Sequence, residues 1–161
     1  MALDTTISGE DSNSYNTLAE IEASLFGSAL EAWKSIRSKT EREAYAIRAT
    51  EVIDMQRYAG EPYNEDQALV FPRSSGSDEE IPAAVKKAQN VQISYMLTSS
   101  SDSAILNYRN QGVTSMGLGV GNTISFDRSK SSPVPKDLLC AEARMLLTPY
   151  FSHMTLRLDR G

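Results

Sequence analysis

Histidine and cysteine, on which much protein chemistry depends, are almost absent from this chain. His153 and Cys140 are the one histidine and the one cysteine in 161 residues. A lone cysteine excludes an intrachain disulfide, and the two together are too few for a zinc framework. A cysteine–histidine nucleophile is conceivable. Nothing in the sequence orients His153 or supplies an oxyanion hole, and Cys140 lies in an apolar stretch where small cysteines serve packing. The expectation is a protein with no catalytic residue, no metal and no cofactor, and not an enzyme. Long apolar runs are missing too, since none approaches the roughly 18–20 residues of a bilayer span. Residues 1–10 lack the basic start and apolar stretch of a secretory signal. A protein made in the cytoplasm, with no membrane partner, is expected.

Basic residues are scarce at the front of the chain. Residues 1–33 hold six acids (Asp4, Glu10, Asp11, Glu20, Glu22 and Glu31) and no Lys or Arg. Residues 61–80 hold six more (Glu61, Glu65, Asp66, Asp78, Glu79 and Glu80) against Arg73 alone. Residues 81–161 carry nine bases and five acids, within a net charge of −5 for the whole chain. An acidic front and a basic back suit head-to-tail contact between copies, or simple solubility. The basic groupings are Lys86-Lys87 and the scattered Arg128, Lys130, Lys136 and Arg144. With a pI near 4.9, they are too few for tight electrostatic capture of nucleic acid. Tyr58, Tyr63, Phe71, Tyr95 and Tyr108 are able to stack on bases, but are better read as core or interface residues.

Apolar spacing predicts a mainly α fold, a small bundle of about four helices with a long loop and a projecting β-hairpin. The chain reads as a single domain, 1–161. It divides into a polar N-terminal arm (1–16), a helical core (17–97), a hairpin region (104–130), a C-terminal helix (133–150) and an extended arm (151–161). Thr17 and Glu20 form a capping-box pattern. Behind it Leu18, Ile21, Leu25, Phe26 and Ala29 fall on one helical face. Thr40 and Glu43 repeat the pattern before a helix to about Tyr58, whose inner face is Ala46, Ala49, Ile53 and Gln56. Its small residues permit close approach of another helix. Gly60 and Pro62 end it, and residues 59–80 form an irregular connection. Pro82 starts a third helix, with Val85, Ala88, Gln92 and Tyr95 inward.

Period-two alternation then predicts a hairpin. A three-residue loop at 120–122 pairs Leu118 with Ile124 and Met116 with Phe126 on one face. Gly117-Leu-Gly119-Val-Gly121 belongs to this hairpin, since it lacks the Lys-Ser/Thr of a phosphate loop and no helix follows. Asp78-Glu79-Glu80 lacks the ligand spacing of a calcium loop and suits the front of the next helix. In the last helix, Leu138, Leu139, Ala143, Met145 and Leu146 make the core stripe, and Pro149 ends it.

Five segments, in order from residue 13 to 150, resemble the head–tail adaptor (head-completion) proteins of tailed bacteriophages. That family's members are often labelled DnaT-like single-stranded-DNA-binding proteins. The segments are Asn13-Ser14-Tyr15, Ala49-Thr50 with Ile53-Asp54, Gln67 to Arg73 with Phe71 for the usual tryptophan, Ile81-Pro82 with Val85-Lys86 and Ala88, and Leu146 to Tyr150. The resemblance implies a structural virion protein at the head–tail junction, a homo-oligomeric ring that is commonly twelvefold. It also implies a portal protein and a tail-completion protein as partners, with packaged double-stranded DNA retained in, and passing through, the lumen. On that basis Leu156, Arg157, Leu158, Asp159 and Arg160 are portal-contact candidates. Phe71, Arg73, Met116, Leu118, Ile124 and Phe126 are subunit-interface candidates, although core packing also explains Phe71. Asp66, Asp78, Glu79 and Glu80 are candidates for an acidic lumen lining. The rival expectation is a replication accessory that binds single-stranded DNA.

Overall fold

A computed structural model describes residues 2–74, 80–98, 115–117, 123–125 and 139–152. It is mainly helical, in agreement with the apolar spacing. Helix α1 spans Leu18–Ser24, α2 Gly27–Ser35, α3 Lys39–Asp54, α4 Ala83–Thr98 and α5 Ala141–Leu147. A 3₁₀ turn, Thr148–Tyr150, follows α5, with Pro149 inside it.

The Thr17–Glu20 capping box forms in full, each side chain accepting from the other's backbone N–H. The helix behind it is shorter than its apolar face suggested. Leu25 and Phe26 are extended, and Gly27 has φ 57°, a left-handed value that favours glycine. The chain therefore breaks there and restarts as α2, which carries the wholly buried Trp33. The Arg42 guanidinium lies 5.6 Å from the centre of the Trp33 ring. Helix α3 is capped by Ser38, whose hydroxyl accepts from Glu41 N at 3.4 Å. Ser38 and Glu41 have the same spacing as Thr40 and Glu43, and the earlier pair wins. Glu43 is instead buried and paired with Lys39 at 3.5 Å.

Two apolar clusters meet on α4. Val85 and Ala88 pack with Tyr15, Ile53, Phe71, Ala143 and Leu147. Further along, Ile93 packs with Ile21, Ala29, Trp33, Ala46 and Ala49. The small residues of α3 let α4 come close enough for Gln89 Nε2 to reach the Ala46 carbonyl at 3.1 Å. Phe71 is 1% exposed and meets Tyr58 at 4.8 Å and Tyr150 at 5.5 Å between ring centroids, both edge to face. Backbone bonds from Ala59 N to Tyr150 O and from Ser152 N to Arg57 O join the end of α5 to the exit of α3.

Three expectations need correction. Tyr95 and Met145 fall at core spacing, but the first is 45% and the second 76% exposed. Gln92 is buried as expected, and Gln89 and Ile93 complete the inner face of α4 in place of Tyr95. The N-terminal arm, read as polar with little to bury, buries Ser12, Ser14, Tyr15 and Asn16. In the hairpin, β1 (Ser115–Gly117) runs antiparallel to β2 (Thr123–Ser125), and Met116 pairs with Ile124 rather than Phe126. Gly117 pairs with Thr123, and the expected loop at 120–122 lies outside the described residues.

Candidate nucleic-acid groove

The break at Leu25–Phe26 shapes the surface beside α4. Ser24, Leu25 and Phe26 form one wall of a groove of about 880 Å³, and Cys140, Ala141 and Glu142 line it from the start of α5. Its floor is the stripe Ala83, Lys86, Lys87, Asn90, Val91, Ser94, Tyr95 and Thr98 on α4. At a rise of about 1.5 Å per residue, Lys86 and Tyr95 stand about 13 Å apart along the helix. The groove is thus cationic towards one end and aromatic towards the other.

Phe26 is 83% exposed, an arrangement that forgoes roughly 1.5–3 kcal/mol of burial for a ring of that size. Tyr95 adds a second half-exposed ring. Asn90 is oriented from behind: Asn16 Nδ2 donates to its Oδ1 at 3.1 Å and to the Lys86 carbonyl at 2.8 Å. The Asn90 amide nitrogen, with no partner among the described residues, is left to donate to a ligand oxygen or ring nitrogen. Lys86 Nζ lies 3.4 Å from Glu20 Oε1. Lys87 is exposed and makes no ion pair among the described residues. The Cys140 thiol is pushed up by burial and its N–H donates to Gln92 Oε1 at 2.9 Å, so it is built into the wall as a packing residue.

A family model matches residues 1–161, the whole chain, and is described as "Putative DnaT-like ssDNA binding protein". The chain belongs to this DnaT-like family. No curated protein and no solved structure matches it. The family description overturns the main expectation. It names single-stranded DNA binding, whereas the five segments had been read as marks of a virion head–tail adaptor with portal and tail partners. The ring, the portal and tail-completion contacts and the passage of packaged duplex are withdrawn with that reading.

In this DnaT-like chain the five segments are accounted for mainly by internal packing. Tyr15 OH donates to the Asp54 carboxylate and accepts from Phe71 N at 3.4 Å. Three segments thereby meet at one point. Among the former interface candidates, Phe71 lies in the core. Arg73 donates to the carbonyls of Ala59 at 2.7 Å and Val70 at 3.3 Å, and also to that of Gly60. Its guanidinium is spent on its own loop. Met116 and Ile124 are paired strand residues, and Leu118 and Phe126 lie outside the described residues. So do Leu156 to Arg160, His153, Asp78, Glu79, Tyr108, Arg128, Lys130 and Lys136. Asp66 and Glu80 are exposed, and neither lines the groove. Arg144 is exposed on α5.

The sequence had singled out Lys86, Lys87 and Tyr95, although Tyr95 was read chiefly as core. It missed Phe26. The available signal was Gly27, directly after an apolar residue at a point where one helical face would otherwise continue.

A second cavity, of about 460 Å³, lies between the N-terminal arm, α3 and the 59–74 loop, lined by Asn13, Thr50, Asp54, Met55 and Leu69 among others. Burial pushes the Asp54 carboxyl up to about 6, against the opposing pull of the Tyr15 hydroxyl and the Val70 N–H.

Proposed function

We propose that this protein binds single-stranded DNA in the groove along α4. Bases stack on Phe26 and Tyr95, and phosphates pair with Lys87 and Lys86. The observation that carries this reading is a pair of exposed rings in the same groove as two lysines. Stacking is tolerant of sequence because every base offers a π-face, and it contributes about 1–3 kcal/mol per base. Duplex DNA keeps its bases stacked on one another, so the rings favour single strands. The family description supports the same ligand. The role is binding, with no bond made or broken.

An acidic protein cannot draw its affinity mainly from phosphate neutralisation. Two lysines imply a log–log salt slope of about −1.4, taking about 0.7 per phosphate contact on a single strand. Fluorescence anisotropy with a labelled thymidine dodecamer, titrated from low to physiological salt, tests this. Saturable binding with a shallow slope, and weaker binding to a duplex of equal length, is the expected result. No binding at low salt, or equal affinity for duplex, would sink the proposal.

A further inference from the structure

Resting on that reading of the groove, we infer that Glu20 is a built-in competitor for the strand. It holds Lys86 in the free protein and yields it to a DNA phosphate on binding. The two oxygens of its carboxylate have separate tasks. Oε2 accepts from Thr17 N at 2.7 Å and from Thr17 Oγ1 at 2.8 Å, and Oε1 faces Lys86 Nζ. The Thr17 bonds hold the acid below its usual range, so it remains an anion across the neutral region. Glu20 is fixed at the start of α1, whereas Lys86 reaches it on a flexible four-carbon stem. The lysine is therefore the partner that moves. A carboxylate and a phosphodiester offer an ammonium group the same anionic oxygen, and one replaces the other.

The exchange makes the two lysines unequal. Lys87 is exposed and unpaired among the described residues, so a phosphate gains its full attraction. At Lys86 the gain is offset, because the pair with Glu20 is lost and an uncompensated carboxylate stays beside the bound strand. Side chains that are 38% and 49% exposed place this pair among surface ion pairs, for which the offset corresponds to about a two- to fivefold change in affinity.

Glu20→Gln removes the charge and keeps the capping box, which glutamine also forms. Glu22→Gln is the matched control. Glu22 stands two residues along α1, on another side of the helix, and pairs with Arg42 at 3.7 Å. It changes net charge equally without touching Lys86. Binding of the labelled thymidine dodecamer at low salt is expected to tighten about two- to fivefold in E20Q and to stay constant in E22Q. The gain in E20Q should vanish when Lys86→Ala is added. Equal tightening in both glutamine variants means bulk charge alone and overturns the inference, as does no tightening in E20Q. A second readout stands apart from α1. Lys87→Ala should cost more affinity than Lys86→Ala, and the reverse order overturns the inference as well. Failure of the wild-type protein to bind the oligonucleotide is the separate outcome that removes the groove reading itself.

Discussion

Gln89 Nε2 donates to the Ser14 hydroxyl at 2.8 Å, joining the centre of α4 to the N-terminal arm across 75 residues of sequence. Both side chains are fully buried. The same nitrogen also lies 2.9 Å from Thr50 Oγ1, so one amide ties together the arm, α3 and α4. A buried amide N–H is costly without acceptors. The bonds made by Gln89 Nε2 fix the lateral position of α4 at the point where the two apolar clusters meet, while Oε1 of the same amide has no partner among the described residues.

Replacing Gln89 with Ala removes the shared donor, leaves the Ser14 and Thr50 hydroxyls without it, and opens a cavity under the arm. The expected loss is about 2–4 kcal/mol, combining cavity and unsatisfied-polar costs. Urea unfolding followed by circular dichroism measures it, with an unchanged m-value showing that the denatured state is not the cause. A loss below about 0.5 kcal/mol would mean that the junction does not hold the arm.

That junction shows where sequence reading stops. Thr17 and Glu20 were legible because a capping box is local, set by two residues three apart. Ser38 with Glu41 and Thr40 with Glu43 satisfy the same local rule, and only packing chooses between them. Ser14 and Asn16 were read only as part of a polar arm, and Gln89 was not singled out, because nothing in one dimension reveals that the arm bonds to α4 across the fold. Phe26, Tyr95 and Met145 failed in the opposite direction. Periodicity marks a residue as apolar at helical spacing, but not which apolar residues the neighbouring elements leave uncovered. The groove exists because the chain breaks at Phe26 next to α4, which is a tertiary fact.

Arg73 makes a prediction about the loop between α3 and α4. Its guanidinium gathers carbonyls from both ends of the 58–73 segment, while Ser74 N bonds to Glu61 O at 2.9 Å and Tyr63 N to Pro72 O at 3.1 Å. Arg73→Lys keeps the charge but not the fork geometry. Hydrogen exchange at Tyr63 and Ser74 is expected to quicken by one to two orders of magnitude in the lysine variant, roughly the value of one or two charge-assisted bonds. Unchanged exchange would show that the loop is held by Phe71 alone.

Asp54 sets a pH dependence. Burial disfavours the anion and pushes its carboxyl up to about 6 in the folded chain, from about 3.9 for an unperturbed aspartate. The folded state therefore binds this proton more tightly than the unfolded state does. The stabilisation is complete below about pH 4 and is lost as pH rises through 6, amounting to about 2–3 kcal/mol by pH 7. Other acids add their own slopes, so the test is a difference. Asp54→Asn should flatten the stability profile between pH 4.5 and 7 relative to wild type. Parallel profiles would place the Asp54 carboxyl in contact with water.

Phe26 and Tyr95 carry the functional prediction, and their exposure separates function from stability. Truncating a side chain as exposed as Phe26 typically changes folding free energy by about 0.5 kcal/mol or less, whereas removing a stacking platform costs about 1–3 kcal/mol of binding per base. Phe26→Ala and Tyr95→Ala should each weaken oligonucleotide binding about five- to hundredfold, with a nearly unchanged urea midpoint for Phe26→Ala and a modestly lower one for Tyr95→Ala, whose ring is half-buried. The salt slope should not move, because neither ring contacts a phosphate. Met145→Ala is the companion substitution, since Met145 is similarly exposed but lies outside the groove lining, and it should leave affinity unaltered. If all three variants bind as wild type does, the bases do not rest on these rings, and the ligand lies elsewhere on the molecule.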